Sequence, residues 1–182
     1  MRKVIAAINM TLDGVCDHTV GIVDEALHYH YANLIDQAGV ILYGRITYQL
    51  MQFWQNLLQH PSDRQSINDF AASINSIEKI VFSNTLKDTE WDSAKIADQP
   101  IDEVVLALKK QPGKDILIGS RSLIIQLLNS HLIDEFQICI HPMVEGHGLR
   151  LFDHIGERIV FNLLQTKTLP SGVTILYYQP IK

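Results

Sequence analysis

The chain has 182 residues, 47% of them hydrophobic and 19% charged, with a formal net charge of −5. That length predicts one domain over residues 1–182 with room for a substantial core, and the hydrophobic fraction excludes a disordered chain. Interspersed charges with an acidic excess exclude a broad nucleic-acid-binding face, which needs clustered Lys and Arg. Cys16 and Cys139 are the only cysteines, so neither a disulfide framework nor a zinc-ligand spacing is present, and a reducing cytoplasm is expected. No stretch approaches the ~20 apolar residues of a membrane span. The apolar run at Val4–Ile8 is broken by Asn9, Thr11 and Asp13, too early for a signal-peptide core.

In chain order, Val4–Ile8 reads as a buried strand, and Leu12-Asp13-Gly14 as the turn that leaves it. From about Asp24 to Gln37, Ala26, Leu27, Tyr31, Leu34 and Ile35 lie near helical spacing. Gly39 ends that helix, and Val40–Tyr43 forms a second strand. Gly44-Arg45 then opens a helix carrying Tyr48, Leu50, Met51 and Trp54, and Pro61 separates it from another at about Arg64–Ser76. Lys79–Phe82 is a third strand and Ala94–Ala97 a short fourth. The next helix has Pro100 in its first turn, a stripe of Ile101, Val104, Val105 and Leu108, and Lys109-Lys110 at its end. Asp115–Ile118 is a strand meeting Gly119-Ser120, which open a helix with Leu123, Ile124, Leu127 and Leu128 on one side. Glu135–His141 is another strand. Strands at about Ile159–Thr168 and Val173–Tyr178 form a hairpin through Leu169-Pro170-Ser171-Gly172.

Alternating strands and helices predict an α/β fold: a mostly parallel sheet covered on both faces, with the hairpin as an antiparallel edge. Such sheets bind ligands at the carboxyl ends of their strands. Three strands here end in ligand-friendly residues: Gly44-Arg45, Ser83-Asn84 and Gly119-Ser120. Glycine admits close backbone approach, an arginine fork suits phosphate, and a helix start offers unpaired N–H groups. Each motif has a plainer reading. Ser120 fits an ordinary N-cap, Arg45 a surface arginine, and Ser83-Asn84 a self-capping turn. The G-x-G-x-x-G and Walker patterns are absent.

No metal site is expected: His28 and His30 are two apart and diverge on a helix, and no H-E-x-x-H occurs. Cys16 reads as a loop cysteine and Cys139 as core. Asp24-Glu25 suit a helix N-terminus without any catalytic role. Phe53, Trp54 and Met51 fit either core packing or the wall of a flat-ring pocket.

The succession Thr11-Leu12-Asp13-Gly14, Leu42-Tyr43-Gly44-Arg45-Ile46-Thr47-Tyr48, Phe53-Trp54, Lys79–Leu86 and Ile118-Gly119-Ser120 resembles the riboflavin-biosynthesis reductase (RibD C-terminal) domain family. Leu132–Glu135, the loop His141–Phe152 and Ser171-Gly172-Val173 continue the likeness in the family's order. The resemblance implies a dihydrofolate-reductase-like three-layer fold and NADPH as hydride donor. It implies that Gly44, Arg45 and Thr47 hold the adenosine-side phosphates, with Arg45 on the 2′-phosphate and Ser83 and Asn84 nearby. Gly119 and Ser120 would take the diphosphate with the helix they open, and Arg121 would add a contact or block one. Asp13, the candidate catalytic residue, and Gly14 would lie near the nicotinamide.

The expected function is therefore an NADPH-dependent reductase of a small pterin- or pyrimidine-like heterocycle. The alternative is a non-catalytic nucleotide-binding or ligand-sensing protein on the same fold. The apolar final hairpin also leads us to expect a homodimer.

Overall fold

The computed structural model describes residues 1–181. Its strands are β1 (Val4–Thr11), β2 (Ala38–Gly44), β3 (Glu78–Phe82), β4 (Ala94–Ile96), β5 (Asp115–Ile118), β6 (Glu135–His141), β7 (Phe161–Thr168) and β8 (Thr174–Pro180). Its helices are α1 (Glu25–Gln37), α2 (Arg45–Met51), α3 (Phe53–Gln59), α4 (Gln65–Ser76), α5 (Ile101–Lys110) and α6 (Arg121–Asn129). The strands form one sheet in the order β4-β3-β2-β5-β1-β6-β8-β7. Strands β1 to β6 run parallel, and β8 is antiparallel to both its neighbours. The mixed, mostly parallel sheet with its closing hairpin is the architecture expected from the sequence.

The alternation of side chains along each strand builds two cores. On one face, Val40 and Leu42 of β2, Ile116 and Ile118 of β5, and Ala6 and Ile8 of β1 pack with Val105 of α5 and Leu123, Ile124 and Leu127 of α6. On the other, Ile41, Tyr43, Val81 and Leu117 pack with Leu34 and Ile35 of α1, Tyr48 of α2, and Phe70 and Ile74 of α4. Ile124, fully buried, contributes about 1.5–3 kcal/mol by leaving water. The central strands are apolar on both faces because helices cover both.

Local chemistry sets the boundaries. Asp24 caps α1, its carboxylate accepting the Leu27 N–H at 2.8 Å, which is the structural role its position predicts. Pro100 precedes α5 as its cap instead of lying inside the first turn. The single helix expected through Tyr48 and Trp54 is two helices. At Gln52 the backbone changes step, with the Gln55 N–H reaching back only three residues to the Gln52 carbonyl. The change turns Trp54 onto Phe70, with ring centroids 4.5 Å apart, so Trp54 serves the core while Phe53 is exposed.

Two buried cations are handled differently. Lys109 pairs with Asp134, whose carboxylate also accepts the Val4 N–H at 2.9 Å. Lys79 has no exposed surface and instead donates to the Ile77 carbonyl and the Ser93 hydroxyl, each at 2.7 Å, with its ammonium 4.0 Å from the Trp91 ring centre. Burial pulls Lys79 down to about 7.

His30 is 8% exposed against the rings of Tyr31 and Tyr177, and burial pushes it down to about 4, with Lys167 adding to the shift. Between about 4 and the ordinary 6.5, the unfolded chain binds more protons at this ring than the folded one. Stability is therefore lost as pH falls through that window, by roughly 3 kcal/mol from this ring at pH 4. His30→Phe should make urea unfolding less acid-sensitive between pH 7 and pH 4.5. An unchanged pH dependence would contradict the assignment.

Candidate active site

At the carboxyl ends of the parallel strands, the chain leaves β2 for α2 on one face and β5 for α6 on the other. A cleft of about 1060 Å³ opens there, beside the ends of β2 and β3. Gly44, Arg45, Ile46 and Thr47 line one wall, with Phe82, Ser83, Asn84 and Thr85 next to them. Ala97, Asp98, Gln99, Pro100, Ile101 and Asp102 come from the turn into α5. Ser122, Leu123 and Gln126 of α6, with Asn129 and Ser130, complete it. Five of the sequence-predicted residues (Gly44, Arg45, Thr47, Ser83 and Asn84) thus meet in one cavity.

Three helices begin at this cleft, and none has a side-chain cap among the described residues. The N-terminal N–H groups of α2, α5 and α6 are left for another acceptor, and their dipoles raise the local potential. Arg45 adds a full charge; it is exposed, with its guanidinium 3.1 Å from the Gln49 side-chain oxygen. Two lining carboxylates oppose this locally: Asp98, and Asp102 in the first turn of α5, which accepts from the Ser130 hydroxyl at 2.8 Å.

Ser120 sits at the N-cap position of α6 but does not cap it. Its hydroxyl oxygen accepts the Gly44 N–H at 2.9 Å, and the residue is 1% exposed. The side chain therefore ties β2 to the start of α6 and leaves the helix end open. Gly44 lies in the same joint: a Cβ there would stand 3.3 Å from the Ser122 hydroxyl and 3.9 Å from that of Ser120. Neither Gly119 nor Ser120 lines the cleft, whereas Ser122 and Leu123 of α6 do. Ser83 caps its own turn, accepting the Thr85 and Leu86 N–H groups at 3.1 and 2.9 Å, and leaves Asn84 exposed.

Asp13, Gly14 and Arg121 belong to a different cluster, outside the cleft lining. Asp13 accepts from the Thr11 hydroxyl at 2.6 Å, the Gly146 N–H at 2.8 Å and the Glu145 N–H at 3.2 Å. The Thr11 hydroxyl, then the two amides, hold its carboxyl down at about 2, so it is ionised at neutral pH. The Gly14 carbonyl accepts the Leu151 N–H at 2.9 Å, and the Arg121 Nε donates to the Arg150 carbonyl at 2.6 Å. The Asp13 and Gly14 contacts fasten the turn after β1 to the loop after β6, and Arg121 ties the start of α6 to the same loop.

Sequence reasoning missed two parts of this arrangement. The turn Asp98–Asp102 follows the rule applied to the other strand ends, because β4 leads to the start of α5. Asp17 was also missed: its carboxylate accepts the Leu149 N–H at 2.9 Å, a pairing across more than a hundred residues that no local pattern reports.

The RibD C-terminal domain family matches residues 2–175 of the chain. Protein YyaP of Bacillus subtilis (strain 168) is 34% identical over 181 residues, 97% of this chain and 94% of the relative. Among solved structures, a pyrimidine reductase-like protein from Corynebacterium diphtheriae superposes with a TM-score of 0.69 at 16% identity, over 100% of this chain and 92% of that one. A dihydrofolate reductase from Enterococcus faecalis, complexed with NADP(H), gives 0.62 at 12% identity, over 99% and 97%. The chain has a reductase-type, dihydrofolate-reductase-like fold. It belongs to the RibD C-terminal domain family.

Gly148 carries the tightest constraint in the clamped loops. Its φ is +128°, and a Cβ would lie 2.5 Å from the Asp17 carboxylate oxygen and 2.7 Å from Val15. Gly146 also has a positive φ, +83°, but has open space around it. Gly148→Ala should lower unfolding stability by about 1–3 kcal/mol. In denaturant titrations it should lose more than Gly146→Ala; equal losses would show that the Asp17 contact does not constrain the loop.

Proposed function

We propose that the chain is an NADPH-dependent oxidoreductase that reduces a small pterin- or pyrimidine-like heterocycle. The observation that carries this reading is the convergence of three uncapped helix N-termini and Arg45 on one cleft. Such a site suits an extended polyanion better than a neutral ligand. Gly44 lines the cleft without a side chain, which lets a diphosphate-bearing cofactor approach the backbone there.

Gly44, Arg45 and Thr47 would hold the phosphates of the adenosine half, with Arg45 on the 2′-phosphate and Asn84, beside the self-capped Ser83, at the same end. The start of α6, shaped by Gly119 and Ser120, would take the diphosphate through backbone N–H groups. Arg121, held on the Arg150 carbonyl, would support the neighbouring loop. Bound there, the nicotinamide would supply hydride to the substrate. Asp13 and Gly14 would shape that end by holding the loop that follows β6.

A second reading, nucleotide binding or ligand sensing without turnover, is favoured by the state of Asp13. A carboxylate held near 2 with three hydrogen bonds is a poor proton donor. NADPH oxidation with dihydrofolate, a pterin or a ribosylamino-pyrimidine excludes the second reading, whereas NADPH binding with no oxidation across that panel excludes the first.

Arg45→Ala should weaken NADPH binding by about 1.5–3 kcal/mol, as for a lost charge-assisted hydrogen bond, and barely change NADH binding in calorimetric titration. Equal losses for both cofactors would remove Arg45 from the 2′-phosphate.

We also propose a homodimer formed through β7. This edge strand is eight residues long, and Leu163 and Leu164 are each 55% exposed. An exposed edge strand is a template for pairing with a second copy, and the two leucines give it apolar surface to bury. Light scattering should show a dimer that Leu164→Lys weakens; a monomer at high concentration would end this proposal.

A further inference from the structure

The segment joining β1 to α1 crosses the carboxyl edge of the sheet at residues 17–23. Its backbone contacts include the Val20 N–H on the Asp17 carbonyl, at 3.1 Å. The Ile22 N–H reaches across to the sheet and donates to Nδ1 of His141, the last residue of β6, at 2.8 Å. The imidazole is 1% exposed, and Gly21 lies against it. With φ at +138°, a Cβ on Gly21 would stand 3.1 Å from Cε1 and 3.3 Å from Nε2 of the ring. Ile22 and Val23 are 40% and 55% exposed, so their burial holds the segment weakly.

An imidazole that accepts at Nδ1 carries its single proton on Nε2. Here Nε2 is buried and has no hydrogen-bond partner among the described residues. We infer that His141 is a positioning residue whose unprotonated Nδ1 latches residues 20–23 onto the sheet, and that protonation of the ring releases them.

A second ring proton turns the acceptor into a donor facing the Ile22 N–H and places a charge where water does not reach. Asp24, the cap of α1, is the charged group that faces the ring and favours this proton. Across the β1–β6 ladder His141 meets Thr11, which does not titrate, and residues 20–23 carry no ionisable side chain. Burial outweighs Asp24 and keeps the ring below the ordinary value of 6.5, so the latch is closed at neutral pH and opens on acidification. The inference concerns the attachment of the segment and stands whether or not NADPH fills the cleft.

The test joins imidazole ¹⁵N spectroscopy to hydrogen exchange at the Ile22 amide from pH 7.5 to 5, corrected for the intrinsic exchange rate. His141→Asn puts an acceptor near the Nδ1 position without a titrating ring, and His141→Leu removes the acceptor. The neutral wild-type ring should carry its proton on Nε2. Local opening at Ile22 should rise by up to about tenfold per pH unit below 6.5 in the wild type. It should stay flat in His141→Asn and be high throughout in His141→Leu. Should the leucine variant not fold, Gly21→Ala, which pushes the segment off the ring, provides the unlatched reference. A neutral ring protonated on Nδ1, or identical pH profiles for the wild type and His141→Asn, would overturn the latch.

Discussion

The hydrogen bond from the Gly44 N–H to the Ser120 hydroxyl is the joint on which the site depends. It links the end of β2 to the start of α6 where the chain departs to opposite faces of the sheet. A serine at the N-cap position ordinarily satisfies its own helix. Spending that hydroxyl on a neighbouring strand leaves α6 with an open positive end and draws the α2 start beside it. The cleft is therefore charged by backbone, in a chain whose net charge is −5. Overall acidity and a local anion site are compatible, because helix ends and one arginine act over a few ångströms while net charge is an average over the surface.

Beside the cleft, the loops after β1 and β6 behave as one unit. Asp13 and Asp17 both serve as acceptors for backbone N–H groups of the later loop, at Glu145, Gly146 and Leu149. The Leu12 and Cys16 amides reach the Met143 and Leu149 carbonyls in return, at 2.9 and 2.8 Å. Carboxylates used this way stabilise irregular backbone that no strand or helix would otherwise satisfy. For Asp13 the use also decides its chemistry, since an acceptor committed to three donors is held ionised. His141 follows the same logic with a neutral ring: its hydrogen bond to Ile22 requires a particular protonation state. Loops at this end of the sheet are thus held by side chains whose charge matters, while the central strands beneath them are held by apolar packing on both faces.

Much of the architecture was legible in the sequence. The alternating strands, the 3.6-residue stripes of α5 and α6, and the Pro170-Ser171-Gly172 turn follow from side-chain period and turn chemistry, which act over a few residues. Gly44, Arg45, Thr47, Ser83 and Asn84 could be selected because parallel strands place all their carboxyl ends on one edge. The same rule, extended to β4, leads to Asp98 and Asp102. The break at Gln52 was not legible, because it answers to the packing of Trp54 on Phe70, a contact between separate helices.

By itself, then, the sequence determined the element types, the two apolar faces and the set of strand ends at which a ligand could be held. These are local properties of periodicity and residue shape. Only the tertiary structure decided what each polar side chain at that edge does: that Ser120 braces Gly44, that Ser83 closes its own turn, and that Asp13, Asp17 and Arg121 bind loops together. It also decided that His141 meets Ile22. A polar group's role is set by the partner it meets, and for Asp13, Asp17 and His141 that partner lies more than a hundred residues away, brought within 3 Å only when the sheet is assembled.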